Sequence, residues 1–411
     1  MTAHLRAAAF ALVALSALTI LPACQADDDV CVAAVSMSDS CGTPLTKDQC
    51  KKLDAKDAQA LLTSLTAMRC SDKDGLFTPT AATCKLAGWP CPDAIGPVPA
   101  KVAPKYPLVF VGGIDGHAEL DWNPAVLAAV SDDTGAHVLH ATLPSWASRE
   151  ERAGALWSIL QARGAGAKGQ KFNLVCYAVG GLDCRALVSP KGIFADDAAT
   201  LALVTASIAS VTTISTPHRG TRVADAAVIA LQTGTQGDLV KAVTGVSIPG
   251  SIGSGALVDA LQSLTLDGAS RASAKLVDAE GVYYQSFAGV SHMTGDADVP
   301  AAADVLHACG DDDAKKAGFD AALVDHMQPT LIVTAPFGGA SMKDDGVVTV
   351  TPTDGMVSVD SARWGSFRGC IPADHYHVIG QLRRTTRDVY TGFDAGRFYA
   401  WVASDLAGRG L

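Results

Sequence analysis

The sequence predicts an α/β fold, a mostly parallel sheet with helices on both faces, preceded by a small disulfide-rich region. Three observations carry this. From Leu108 onward short apolar runs alternate with helix-period stretches, the pattern of parallel strands buried on both faces. The apolar run Phe172-Asn173-Leu174-Val175 leads directly into Cys176-Tyr177-Ala178-Val179-Gly180-Gly181, a strand, a sharp turn and a helix opening on paired glycines. Six cysteines crowd together before that region, at 31, 41, 50, 70, 84 and 91.

Composition bounds the function. With 411 residues, 48% hydrophobic and 18% charged, the chain is globular and long enough for one large core plus an accessory unit. A net charge of −10 with no Lys/Arg-rich run excludes non-specific nucleic-acid binding. Aromatic residues at 6% are too sparse for a single-strand stacking platform.

Residues 1–24 read as an export signal, with Arg6 as the basic start and Ala7 to Ala23 as the apolar run. Leu21-Pro22-Ala23-Cys24 has the form of a bacterial lipobox, which makes Cys24 the acylated first residue of the mature chain. The expectation is an exported lipoprotein anchored to the cell envelope at the outer membrane, or a secreted protein. Ordinary cleavage and an uncleaved anchor are the alternatives, and Asp27-Asp28-Asp29 suits the outer side of an anchor. No other run is long enough to span a bilayer.

Residues 25–105 form the cysteine-rich unit and its linker. Six cysteines in an exported chain predict a disulfide framework with fifteen possible pairings; the absence of a CxxC pair speaks against structural zinc. Thr46-Lys47-Asp48-Gln49 predicts a capping box opening a helix to about Arg69. Asp72-Lys73-Asp74-Gly75 lacks the later ligands of a calcium loop and reads as a turn. Pro90, Pro92, Pro97, Pro99 and Pro104 mark the linker.

From residue 106 the reading gives strands at Leu108–Val111, His137–Ala141, Phe172–Cys176, Val211–Ser215, Val282–Phe287 and Thr330–Thr334. Helices are expected over Pro124–Val130 and Glu150–Gln161, from about Gly181, and around Phe398, Trp401 and Leu406. A Gly-, Ser- and Ala-rich helical stretch at about 221–280 interrupts the alternation and predicts a cap over the sheet. Of the later cysteines, Cys176 and Cys184 read as buried or disulfide-bonded, and elimination leaves Cys309 with Cys370.

The strand–turn–helix at Ala178 has the shape of a G-x-S-x-G nucleophile elbow, whose central serine stands exposed on a strained turn. Here Ala178 holds the serine position and Cys176 the first glycine position.

Several segments in order resemble the bacterial triacylglycerol lipases, an α/β-hydrolase family. Tyr106 to Gly116 resembles their first strand and oxyanion loop, with Gly112 where a histidine is usual. Ser148 to Ala153 is similar to an Arg-Gly-Glu helix start, and Asn173 to Arg185 to the elbow and its helix. Ser210 to Thr221 is the nearest match; Asp344 to Val348 resembles the acid loop. Ser361 to Gly365 and Ile371 to His375 resemble the histidine region. The resemblance covers residues 106–411 and implies an α/β-hydrolase fold. It implies His375 as general base, Asp345 as its orienting acid, and the backbone N–H groups of Ile114 and Val179 as an oxyanion hole. His218 is expected to be structural. In the family an aspartate two residues past the histidine helps hold calcium; His377 stands there, which weakens the expectation of a family-type structural calcium and leaves it open, and no cofactor is expected.

The predicted function follows from what is missing. A methyl group neither attacks a carbonyl nor responds to a base, so the family's ester hydrolysis is expected to be absent or severely impaired. A lipid or acyl ester becomes a ligand rather than a substrate. Departures at Gly112, Cys176 and His377 around one expected site speak for a naturally degenerate member. The alternatives are an active esterase with an unrecognised nucleophile and a surface interaction protein acting through its disulfide-rich region.

Overall fold

The computed structural model describes residues 27–43, 45–69, 76–115, 121–232, 254–292, 309–310, 325–327, 331, 334–342, 348–350, 352–381 and 385–411. The chain divides into two compact units, Met1–Ser71 with Pro79–Pro90 and Asp72–Thr78 with Cys91–Leu411.

The first unit contains helices α1 (Asp28–Ser40), α2 (Lys47–Lys51), α3 (Ala55–Ala67) and α4 (Ala81–Ala87). The capping box forms as expected: the Thr46 hydroxyl accepts from Gln49 N, and the Gln49 side chain accepts from Thr46 N. The helix does not run on to Arg69, because Asp54 takes an N-cap and accepts from Asp57 N, starting α3 afresh. A short acidic side chain is worth more at a cap than in a helix interior. Cys31 bonds Cys50, tying α1 to α2 over a small core of Ala34, Ala58, Leu61 and Leu65. Cys41, Cys84 and Cys91 are also disulfide-bonded.

The second unit follows the predicted alternation. Its sheet comprises β1 (Leu108–Val111), β2 (Val138–Ala141), β3 (Phe172–Tyr177), β4 (Ile208–Ile214), β5 (Tyr283–Gly289) and β6 (Ser366–Ile371). All neighbours pair parallel in the order β6-β5-β4-β3-β1-β2. Side chains alternate across it. Leu108, Phe110, Val175 and Tyr177 pack on one face with α5 (Pro124–Thr134) and the terminal helix, while Val109, Val111, Leu174 and Cys176 pack on the other. That second face is covered by α6 (Arg149–Ala162), α7 (Val179–Val188) and α8 (Ala198–Ser207). Over the expected cap lie α9 (Arg222–Gln232), α10 (Ser254–Gln262) and α11 (Leu266–Lys275), and the chain ends on α12 (Ala395–Gly408).

One expected strand is not found. At Thr330–Thr334 the two described positions, Leu331 and Thr334, lie in helical-turn backbone. The sixth strand is instead Ser366–Ile371, whose period is hidden by Gly369 (φ 114°) and a register shift between Phe367 and Cys370. Cys309 bonds Cys370 on that strand. Among the described residues no helix is long and apolar enough to cross a membrane.

Candidate active site

The site grows from the end of β3. Ala178 donates its N–H to Ile214 O on β4, then turns sharply at φ 48°, ψ −123° into α7. A non-glycine residue held there costs on the order of 1–3 kcal/mol. Close packing enforces the turn. A Cβ on Gly180 would stand 2.3 Å from Gly112 O, and one on Gly181 would stand 2.1 Å from Thr216 Oγ1. Val179 opens α7, so its N–H has no acceptor within the helix.

The first loop, after β1, is pinned by a buried arginine. Arg152 on α6 donates to Gly113 O (2.6 Å), Pro144 O (2.7 Å) and Ile114 O (3.3 Å). Its Nε meets Asp183 Oδ2 on α7 at 2.8 Å. Burial pushes the Asp183 carboxyl up, more than Arg152 pulls it back. One ion pair thus locks the loop bearing Ile114 to the helix bearing Val179.

The third component follows β6. His375 Nδ1 lies 2.8 Å from Asp354 Oδ2, with the carboxylate fully buried. The other carboxylate oxygen, Oδ1, accepts from Met356 N and Val357 N, which fixes its direction. The His375 N–H donates to Asp354 O, and its carbonyl accepts from the Tyr177 hydroxyl at 2.9 Å. Burial is the largest of the causes that hold both Tyr177 and Tyr376 protonated far above the usual phenol range.

Ala178, Val179, Ile114 and His375 line one cavity of about 690 Å³, part of it open to solvent. Its other walls are mainly apolar and include Trp146, Val223, Leu261 and Leu264. The cap helices supply part of that wall. This is an elbow, two loop-and-helix N–H positions and a His–Asp pair at the C-terminal edge of a parallel sheet.

Triacylglycerol lipase 2 of Saccharomyces cerevisiae is 26% identical over 291 residues, covering 67% of this chain and 71% of the relative. This chain resembles a lipase in sequence and has an α/β-hydrolase-like fold. No protein-family model matches it. Among solved structures, EstA from Clostridium botulinum superposes with a TM-score of 0.47 at 16% identity, covering 82% of this chain and 96% of that one. Staphylococcus hyicus lipase gives 0.45 at 17% identity, covering 76% and 98%. The metagenomic carboxyl esterase MGS0156 gives 0.43 at 15% identity, covering 98% and 99%.

One position of the site differs from the sequence reading. The carboxylate on His375 is Asp354 rather than Asp345, and Asp345 lies outside the described residues. A signal existed: Asp354-Gly355-Met356-Val357 repeats the form of Asp345-Gly346-Val347-Val348 nine residues on. Gly112 has a physical counterpart, since a Cβ there would stand 2.3 Å from Asp121 Oδ1. Asp121 fills the space a histidine would need, accepting from Trp122 N and facing His140 Nε2 at 2.9 Å.

Cys176 and Cys184 form a buried disulfide between β3 and α7, as their sequence positions suggested, so neither is a thiolate nucleophile. His377 is buried against Phe393, with ring centroids 5.3 Å apart. Among the described residues no group of three metal-binding side chains occurs. His218 is structural: its ring meets Thr213 Oγ1 and Arg185 Nη1, and burial above all holds it neutral, well below the usual histidine range. Cys24 lies outside the described residues.

Proposed function

We propose that this protein is an exported, lipase-like protein that binds a lipid or acyl ester in its cavity without hydrolysing it. The observation that carries the reading is Ala178, seated at the strained elbow with φ 48° in a cavity that His375 also lines. Everything around the nucleophile position is arranged for acyl transfer: a base oriented by Asp354, and the backbone N–H groups of Ile114 and Val179 as oxyanion donors. The reacting atom is replaced by a methyl group. The similarity to a triacylglycerol lipase supports an acyl-ester ligand, and the apolar walls suit acyl chains. With Cys176 and Cys184 joined, the two thiols nearest Ala178 in sequence offer no substitute.

The nucleophile of a Ser-His-Asp triad is worth about a millionfold in turnover. The wild-type protein is therefore expected to leave nitrophenyl butyrate unhydrolysed and to resist labelling by a fluorophosphonate. Ala178→Ser is expected to gain both, with turnover rising by several orders of magnitude, and Asp354→Asn in that background is expected to remove most of the gain. Clear turnover by the wild-type chain would sink the proposal. A second measurement addresses binding: a fluorescent acyl ester should bind the wild type and be expelled by Ala224→Trp, which fills the cavity.

A further inference from the structure

A second cleft, outside the cavity at Ala178, is unusual in charge. It is bounded by the first turn of α6 at Arg149 and Glu150, by Lys191 after α7, and by Arg271 and Lys275 on α11. Four cations thus face one carboxylate in a chain whose net charge is −10. Like charges so gathered repel one another, and the cleft is open enough, at about 1010 Å³, to admit a counter-ion.

Arg149 is the most telling of the four. Burial lowers its guanidinium from the ordinary arginine value, although Asp183 and Glu150 oppose that shift. Its hydrogen bond to Ser263 O is long, at 3.4 Å, and leaves most of its five N–H donors unspent. Arg271 pairs with Asp267, but both side chains are more than 70% exposed, so water and salt screen the pair. Among the described residues neither Lys191 nor Lys275 has an ion-pair partner. The α6 dipole adds partial positive charge where its first turn enters the cleft.

We propose that this cleft binds a phosphate-bearing anion, with Arg149 as the forked donor and Lys191, Arg271 and Lys275 as surrounding point charges. A phosphate fits better than a carboxylate because its oxygens can be shared among cations reaching in from three separate elements. The phosphate belongs either to the headgroup of an anionic lipid or to a soluble phosphate ester. The proposal is independent of the ligand in the cavity at Ala178.

The full chain is titrated with sodium pyrophosphate by calorimetry. Separately it is sedimented with vesicles of phosphatidylcholine alone and of phosphatidylcholine mixed with phosphatidylglycerol; the difference between the two cancels any contribution from an acyl anchor. Each exposed basic residue beside an anionic surface contributes about fivefold in affinity. The double variant Lys191→Gln, Lys275→Gln is therefore expected to lose about 25-fold. Both side chains are exposed, so the fold is expected to survive, and circular dichroism checks that. Preference for the phosphatidylglycerol vesicles assigns the cleft to a lipid headgroup, and pyrophosphate binding without that preference assigns it to a soluble ester. Neither response, or a response unchanged in the double variant, overturns the proposal.

Discussion

Ala178 and His218 show how differently two residues of one sequence region are constrained. Ala178 keeps a backbone conformation that costs energy, and no reacting atom in its side chain repays it. The turn is packed so closely that a Cβ at Gly180 would overlap the Gly112 carbonyl and one at Gly181 the Thr216 side chain. His218, by contrast, is held neutral by burial between Thr213 and Arg185. The folded protein binds a proton there far less readily than the unfolded chain. The contribution is therefore present above the unfolded value of 6.5 and is lost as pH falls below it toward the depressed folded value. Urea midpoints of the wild type are expected to drop between about pH 7.5 and about pH 5, bracketing the ordinary histidine value. His218→Gln should show a shallower drop over the same window, and equal slopes would reject this assignment.

The elbow helix α7 is fastened by two independent devices. The Cys176–Cys184 bridge closes a loop of sequence separation 8, worth about 2–3 kcal/mol in the chain-entropy account. The double variant Cys176→Ala, Cys184→Ala should lose about that much stability in a urea melt, while a loss too small to resolve would show that packing alone holds α7. The second fastening is Arg152–Asp183. Both side chains are buried, and removing one leaves the other uncompensated. Arg152→Met is expected to cost about 3–5 kcal/mol and, in the Ala178→Ser background, to lower kcat, because Arg152 also holds the carbonyls of Gly113 and Ile114. Unchanged kcat in that background would separate Arg152 from the oxyanion loop.

At the scale of the whole molecule, the proposed export makes a chemical prediction. Labelled palmitate should be incorporated in a bacterial host with lipoprotein processing and should disappear in Cys24→Ser; retention of label in that variant would place acylation elsewhere. Five strands of the parallel sheet and most of its covering helices were legible in the sequence because hydrophobic period is a local property, written in runs such as Leu108–Val111 and Phe172–Val175. The elbow was legible for the same reason: its strand, turn and paired glycines are consecutive. The sixth strand was not, since Gly369 and a shifted register break its alternation. Nor was the partner of His375. Two Asp-Gly segments of the same form stand nine residues apart, and nothing local distinguishes them; the fold does, by burying Asp354 with two backbone N–H donors on one oxygen and His375 on the other. The sequence by itself determined the strand–elbow–helix frame and the loss of the serine, because both are written in adjacent residues. Tertiary structure alone decided which carboxylate meets the histidine, that Asp121 fills the space beside Gly112, and that four cations share one cleft, because each depends on residues that only folding brings within a few ångströms.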